Sequence, residues 1–72
     1  METASGVITI VQEDRFQLAG EDGRKRLFTL SRHAPLRIDE LQALAGARHR
    51  VRVRYRAVEG ELAGEARQVE RV

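Results

Sequence analysis

Seventy-two residues allow one domain at most, and the absence of cysteine excludes a disulfide framework and any thiolate ligand or nucleophile. No apolar run approaches the ~20 residues of a membrane span. Net charge is +2, from 13 basic and 11 acidic residues, so the chain is not broadly cationic despite twelve arginines against one lysine.

The distribution of charge says more than its sum. Residues 1–40 hold six basic and seven acidic groups, whereas residues 41–72 hold seven and four. From Leu41 to Val58 there are five arginines and no acid. Residues 1–5 are small and polar and are expected to form a flexible N-terminus, with one domain over 6–72. That start shows no basic end followed by an apolar block, which leaves a cytoplasmic location as the expectation. A core this small sustains a net stability of roughly 3–5 kcal/mol.

Val7 to Val11 is β-branched throughout and predicts a strand. Gln12-Glu13-Asp14 breaks it. Arg15 to Ala19 alternates, with Phe16 and Leu18 inward, and predicts a second strand in a hairpin with the first. Gly20-Glu21-Asp22-Gly23 is the next turn, because Asp-Gly tolerates positive φ. Arg24 to Ser31 predicts a third strand, with Phe28 and Leu30 on one face and Leu27 and Thr29 on the other. Pro35 ends this meander. Leu36, Ile38, Leu41, Leu44 and Ala45 then recur at helical spacing. They predict a helix over 39–45, with Asp39 as N-cap, Gln42 as the reciprocal partner and Gly46 just past the end.

The segment Arg48-His49-Arg50-Val51-Arg52-Val53-Arg54-Tyr55-Arg56-Ala57 alternates arginine with mostly apolar residues. In a strand this gives one cationic and one apolar face, whereas in a helix the arginines would scatter round the axis. A fifth strand follows from Leu62 to Val72. If Glu59-Gly60 is a two-residue loop, Ala57 faces Leu62, Tyr55 faces Gly64, Val53 faces Ala66 and Arg54 faces Glu65. A one-residue bulge between Ala66 and Val69 then returns Val69 to the core.

Three strands, a short helix and two strands make an all-β chain with one helix, and the order resembles the OB-fold, a five-stranded Greek-key barrel. The resemblance rests on element order and turn placement over residues 6–72. Gly6-x-Ile8, Arg15-Phe16-x-Leu18, Asp22-Gly23-Arg24, Phe28-x-Leu30-Ser31 and Val51-x-Val53-x-Tyr55 are similar to small bacterial OB-fold proteins without assigned function. Bacterial translation initiation factor 1 has this length and the Gly6-x-Ile8 start. Its basic-aromatic stretch after strand three is replaced by Arg37-Ile38-Asp39-Glu40, so its RNA contacts do not carry over. Periplasmic copper-binding OB proteins use methionines and a tryptophan, and here Met1 is the only methionine and tryptophan is absent.

The resemblance implies a ligand face on strands two and three, flanked by the loops joining strands one to two and four to five. Those loops carry Glu13, Asp14, Glu59 and Glu61, which repel phosphates, and Phe16, Phe28 and Tyr55 all fall on core faces rather than offering stacking platforms. The candidate binding face is therefore Arg48, Arg50, Arg52, Arg54 and Arg56, with Arg24, Lys25 and Arg26 as a secondary basic patch. Its expected partner is an acidic protein surface or a second copy of the chain, because arginine pairs well with carboxylates. The alternative is weak, sequence-independent binding of single-stranded DNA or RNA. Catalysis is not expected: Ser31, His33 and Asp39 match a triad by type, with no base placed beside the nucleophile. His33 reads as a loop residue and His49 as a half-buried barrel-end residue. Two histidines without cysteine give no metal-ligand spacing, and no cofactor is implied.

Overall fold

A computed structural model describes all residues 1–72. It contains strands β1 (Glu2–Gln12), β2 (Arg15–Gly20) and β3 (Lys25–Leu30), helix α1 (Ile38–Gly46), and strands β4 (Arg50–Arg56) and β5 (Gly64–Arg71). The strands close into a barrel in the order β1-β2-β3-β5-β4, with β4 returning to β1. Every pairing is antiparallel except β3 with β5, which is parallel. This is the expected OB-type Greek-key barrel with one short helix between β3 and β4. No helix is long and apolar enough to cross a membrane.

The core follows the period-two pattern. Ile8, Phe16, Leu18, Phe28, Leu30, Val51, Val53, Ala66 and Val69 point inward, and Leu41 of the helix plugs one end. Phe28 sits between two rings, 5.3 Å from Phe16 and 4.9 Å from Tyr55, the latter edge-on. An extra residue at Thr9 shifts the β1–β2 register, so Val11 joins the core while Ile10 turns outward.

The stretch expected to be a flexible N-terminus is strand from Glu2 onward. Residues 2–7 pair with β4, from Glu2 opposite Tyr55 to Val7 opposite Arg50. The small side chains of Thr3, Ala4, Ser5 and Gly6 let β1 run on as the strand that closes the barrel. Gly6 is indispensable there, because a Cβ at this position would lie 2.0 Å from the Ala19 carbonyl oxygen.

The helix caps also differ from expectation. Its N-cap is Arg37, not Asp39, and the Glu40 carboxylate accepts the Arg37 backbone N–H at 3.0 Å, a role expected of Gln42. At the other end the helix runs one residue past the expected end, so Gly46 is its last residue. Ala47 is the C-cap, and Arg48 takes the left-handed conformation at φ 54°. The backbone N–H of His49 reaches the Leu44 carbonyl and that of Arg48 reaches Ala45, the Schellman arrangement that usually employs glycine. The glycine thus stands two residues before the position that needs it.

The β4–β5 register is corrected as well. The connection is the loop 57–63 rather than a two-residue turn, with the bend at Val58–Glu61 and Gly60 at φ 81°. Tyr55 therefore faces Ala66 and Arg56 faces Glu65. Leu62 lies outside the ladder and is 96 % exposed. The bulge falls inside the expected interval: Arg54 faces Gln68 and Tyr55 faces Ala66, leaving Arg67 as the extra residue and returning Val69 to the core.

Two substitutions test these constraints. Gly6→Ala should cost about 3 kcal/mol or more, since backbone rather than a flexible side chain must move, and leave much of the protein unfolded in urea titrations. Arg48→Gly should gain about 1 kcal/mol by relieving the left-handed strain, and raise Tm by roughly 4–8 °C. An unchanged or lower Tm for Arg48→Gly would refute the assignment of this cap.

Candidate functional site

The arginine strand was expected to carry a free cationic face. Arg50, Arg52, Arg54 and Arg56 do line one outward face of β4, because Val51 and Val53 are driven into the core between them. Arg48 is not on that face, since it caps the helix before the strand begins. The four strand arginines are matched by groups on neighbouring elements. Arg50 is ion-paired with Glu21 in the β2–β3 turn. Arg52 meets Glu70 of β5 at 3.4 Å, and Arg56 meets Glu65 at 2.9 Å. Arg54 donates to the Gln68 side-chain oxygen at 3.5 Å, not to Glu65. Arg67, displaced by its bulge, reaches Glu65 at 3.0 Å, so one carboxylate bridges two guanidinium groups.

These are exposed cross-strand pairs, each worth a few tenths of a kcal/mol. Their larger consequence is electrostatic. Three carboxylates sit among five guanidinium groups, so an incoming anion meets a face already mostly neutralised. Partial desolvation raises the Glu65 pKa, but the hydrogen bonds from Arg56 and Arg67 outweigh it and hold the carboxyl below its ordinary 4.5.

The secondary basic patch is divided. Arg26 has inward parity at the barrel mouth and pairs with Asp22 at 3.1 Å. Lys25 points outward. Arg24 sits in the turn, where its backbone N–H donates to Asp22 at 3.0 Å, and this bond leads the effects that lower the Asp22 carboxyl below 3.8.

The outer face of β1–β2–β3 shows a different chemistry. Ile10 pairs with Gln17, and Gln17 pairs with Leu27, forming one row across three strands. Ile10 is 52 % exposed and Leu27 49 %, and the exposed Leu62 shares a cleft of about 370 Å³ with Leu27. Lys25 and Arg15 flank the row, and neither is ion-paired. The strand residues facing outward here include no carboxylate: Arg15, Gln17 and Ala19 on β2, Lys25, Leu27 and Thr29 on β3. Sequence reading reached Leu27 but missed Ile10 and Leu62. The bulge that exposes Ile10 and the loop that exposes Leu62 both depend on tertiary pairing.

Other candidate chemistry does not assemble. The Ser31 hydroxyl accepts the His33 backbone N–H at 3.1 Å, a local turn, and Asp39 pairs with Arg37. The cleft between the β1–β2 and β4–β5 loops gathers Arg15, Arg32 and Arg56 with Asp14, Glu61 and Glu65, a balanced set rather than an anion site. The aromatic rings of Phe16 and Phe28 are buried, and Tyr55 is half-buried against Phe28. Comparison with protein families, curated proteins and solved structures finds no match for this chain.

The Arg56–Glu65–Arg67 bridge has a pH signature. A carboxyl whose pKa is lowered by folding stabilises the native state above its unfolded value of 4.5, and that stabilisation is lost as pH falls through the folded value. Urea titrations from about pH 5 downward should show falling stability, with a shallower fall in Glu65→Gln. An identical pH dependence in the two proteins would contradict the bridge.

Proposed function

We propose that this chain is a small non-catalytic binding module of the OB type that docks an acidic protein partner. The observation that carries this reading is the pair of exposed aliphatic side chains Ile10 and Leu27 on either side of Gln17 on the usual OB ligand face, extended by Leu62 and flanked by the unpaired Arg15 and Lys25. Exposed aliphatic anchors beside unpaired cations suit a polypeptide with apolar and acidic side chains. They suit single-stranded nucleic acid poorly, because base stacking wants aromatic platforms. The arginine face of β4 contributes less to this reading than its composition implies. A partner carboxylate would have to displace Glu21, Glu65 or Glu70 to gain what those residues already provide.

Weak, backbone-directed nucleic-acid binding is the second reading, favoured by cations left without a carboxylate, among them Arg15, Lys25, Arg32 and Arg54. Amide-shift NMR titrations separate the two. A short peptide rich in leucine and glutamate should perturb residues 10, 17, 25 and 27, and Leu27→Asp with Lys25→Glu should abolish the effect. Single-stranded DNA and RNA should produce no shifts at ~50 mM salt, where phosphate contacts are strong. Steeply salt-dependent oligonucleotide binding without peptide binding would overturn the proposal.

A further inference from the structure

The barrel is closed, yet one strand edge is not fully paired. β3 runs from Lys25, but its parallel pairing with β5 begins only at Phe28 opposite Gly64. The hydrogen-bond alternation on the other side fixes which backbone groups are left over. Gly20 N–H donates to the Arg24 carbonyl and Leu30 N–H to the Asp14 carbonyl. Between these two points an antiparallel ladder spends the backbone groups of Arg26 and Phe28 on β2. Lys25 and Leu27 consequently turn their N–H groups, and Lys25 its carbonyl, away from β2 toward the gap. No turn or loop backbone group reaches either N–H.

The gap is a shaped site. The cleft of about 370 Å³ that opens there has Phe28 and Tyr55 as its floor and Leu62 at its rim. Gly64 keeps it open, since a Cβ at that position would come within 3.0 Å of the Tyr55 ring.

We infer that the free edge of β3 at Lys25–Leu27 accepts an extended segment of the partner as an added strand, with one apolar side chain inserted over Phe28 and Tyr55. This deepens the docking reading and rests on it. Main-chain donors and acceptors in a row select polypeptide, and pockets for alternate side chains set the sequence. Side chains of the added strand opposite Arg26 face the cleft, and those opposite Lys25 and Leu27 face outward. The recognised core is therefore an acidic residue beside Lys25, an apolar residue in the cleft and an apolar residue beside Leu27. Lys25 also sets a charge against the pairing of this edge with the same edge of a second copy, a common guard on exposed edges.

The test uses the whole chain and a short synthetic peptide with glutamate, leucine and leucine at its centre. Two further versions carry N-methyl groups on alternate amides, one version for each register. The side-chain pattern fixes which register binds, because a one-residue slip would expose the cleft leucine. The unmodified peptide should shift the Lys25 and Leu27 amides and slow their hydrogen exchange. One N-methylated version should bind about tenfold or more weakly, and the other should bind like the unmodified peptide. Equal binding of both methylated versions would overturn strand addition while leaving docking on this face intact. Failure of every peptide to bind would overturn both. Concentration-dependent protection of the same two amides in the protein alone, with a doubled mass by light scattering, would replace the acidic partner with a second copy and overturn the inference as stated.

Discussion

The barrel closes through a parallel seam of only three residue pairs, Phe28–Gly64, Thr29–Glu65 and Leu30–Ala66. Much of the molecule depends on where this seam begins and how soon it ends. It sets the start of β5, and with it the length of the β4–β5 loop. It places Ala66 opposite Tyr55, so that a bulge at Arg67 is needed before Val69 can reach the core. It aligns Glu65 with Arg56. Because it starts at Phe28, it leaves the first half of β3 unpaired on that side. Glycine at position 64 eases the seam, since a Cβ there would press on the Tyr55 ring at 3.0 Å and the Phe28 ring at 3.4 Å.

The arginine strand owes its function in the fold to its other face. Val51 and Val53 are fully buried, and alternation forces the arginines outward. Once outward, they lie between β1, which offers Thr3, Ser5 and Val7, and β5, which offers Glu65, Gln68 and Glu70. Charge that looks free along the chain is compensated across it. The cations that remain available are those facing a neutral neighbour, such as Lys25 opposite Ala19 and Arg15 opposite Thr29. This shifts attention from the most arginine-rich surface to the ordinary ligand face of the fold, where exposed Ile10 and Leu27 stand in place of aromatic platforms.

Several features were legible in the chain because they are local. Alternation in β2, β3 and β4 identified Phe16, Leu18, Phe28, Leu30, Val51 and Val53 as core, and the Asp22-Gly23 turn and the helix position followed from local chemistry. The bulge near Ala66 was legible too, since strict alternation would have buried Gln68 and exposed Val69. What failed was non-local. A composition of small polar residues suggested fraying at residues 1–5, but barrel closure recruits them against β4. Glycine at 46 suggested the position just past the helix, but it is the last helical residue, and Arg48 takes the left-handed conformation glycine would have taken more cheaply. Arg54 was matched with Glu65 because the loop length was inferred from turn propensity alone, and the parallel seam decides it otherwise.

Native-state amide hydrogen exchange of the free protein reads the open edge of β3 directly. Arg26 and Phe28, bonded to β2, should exchange slowly, while Lys25 and Leu27, which alternate with them, should exchange at rates near those of the loops. Uniform protection from Lys25 to Phe28 would mean that the edge is already filled within the molecule, and would contradict the account.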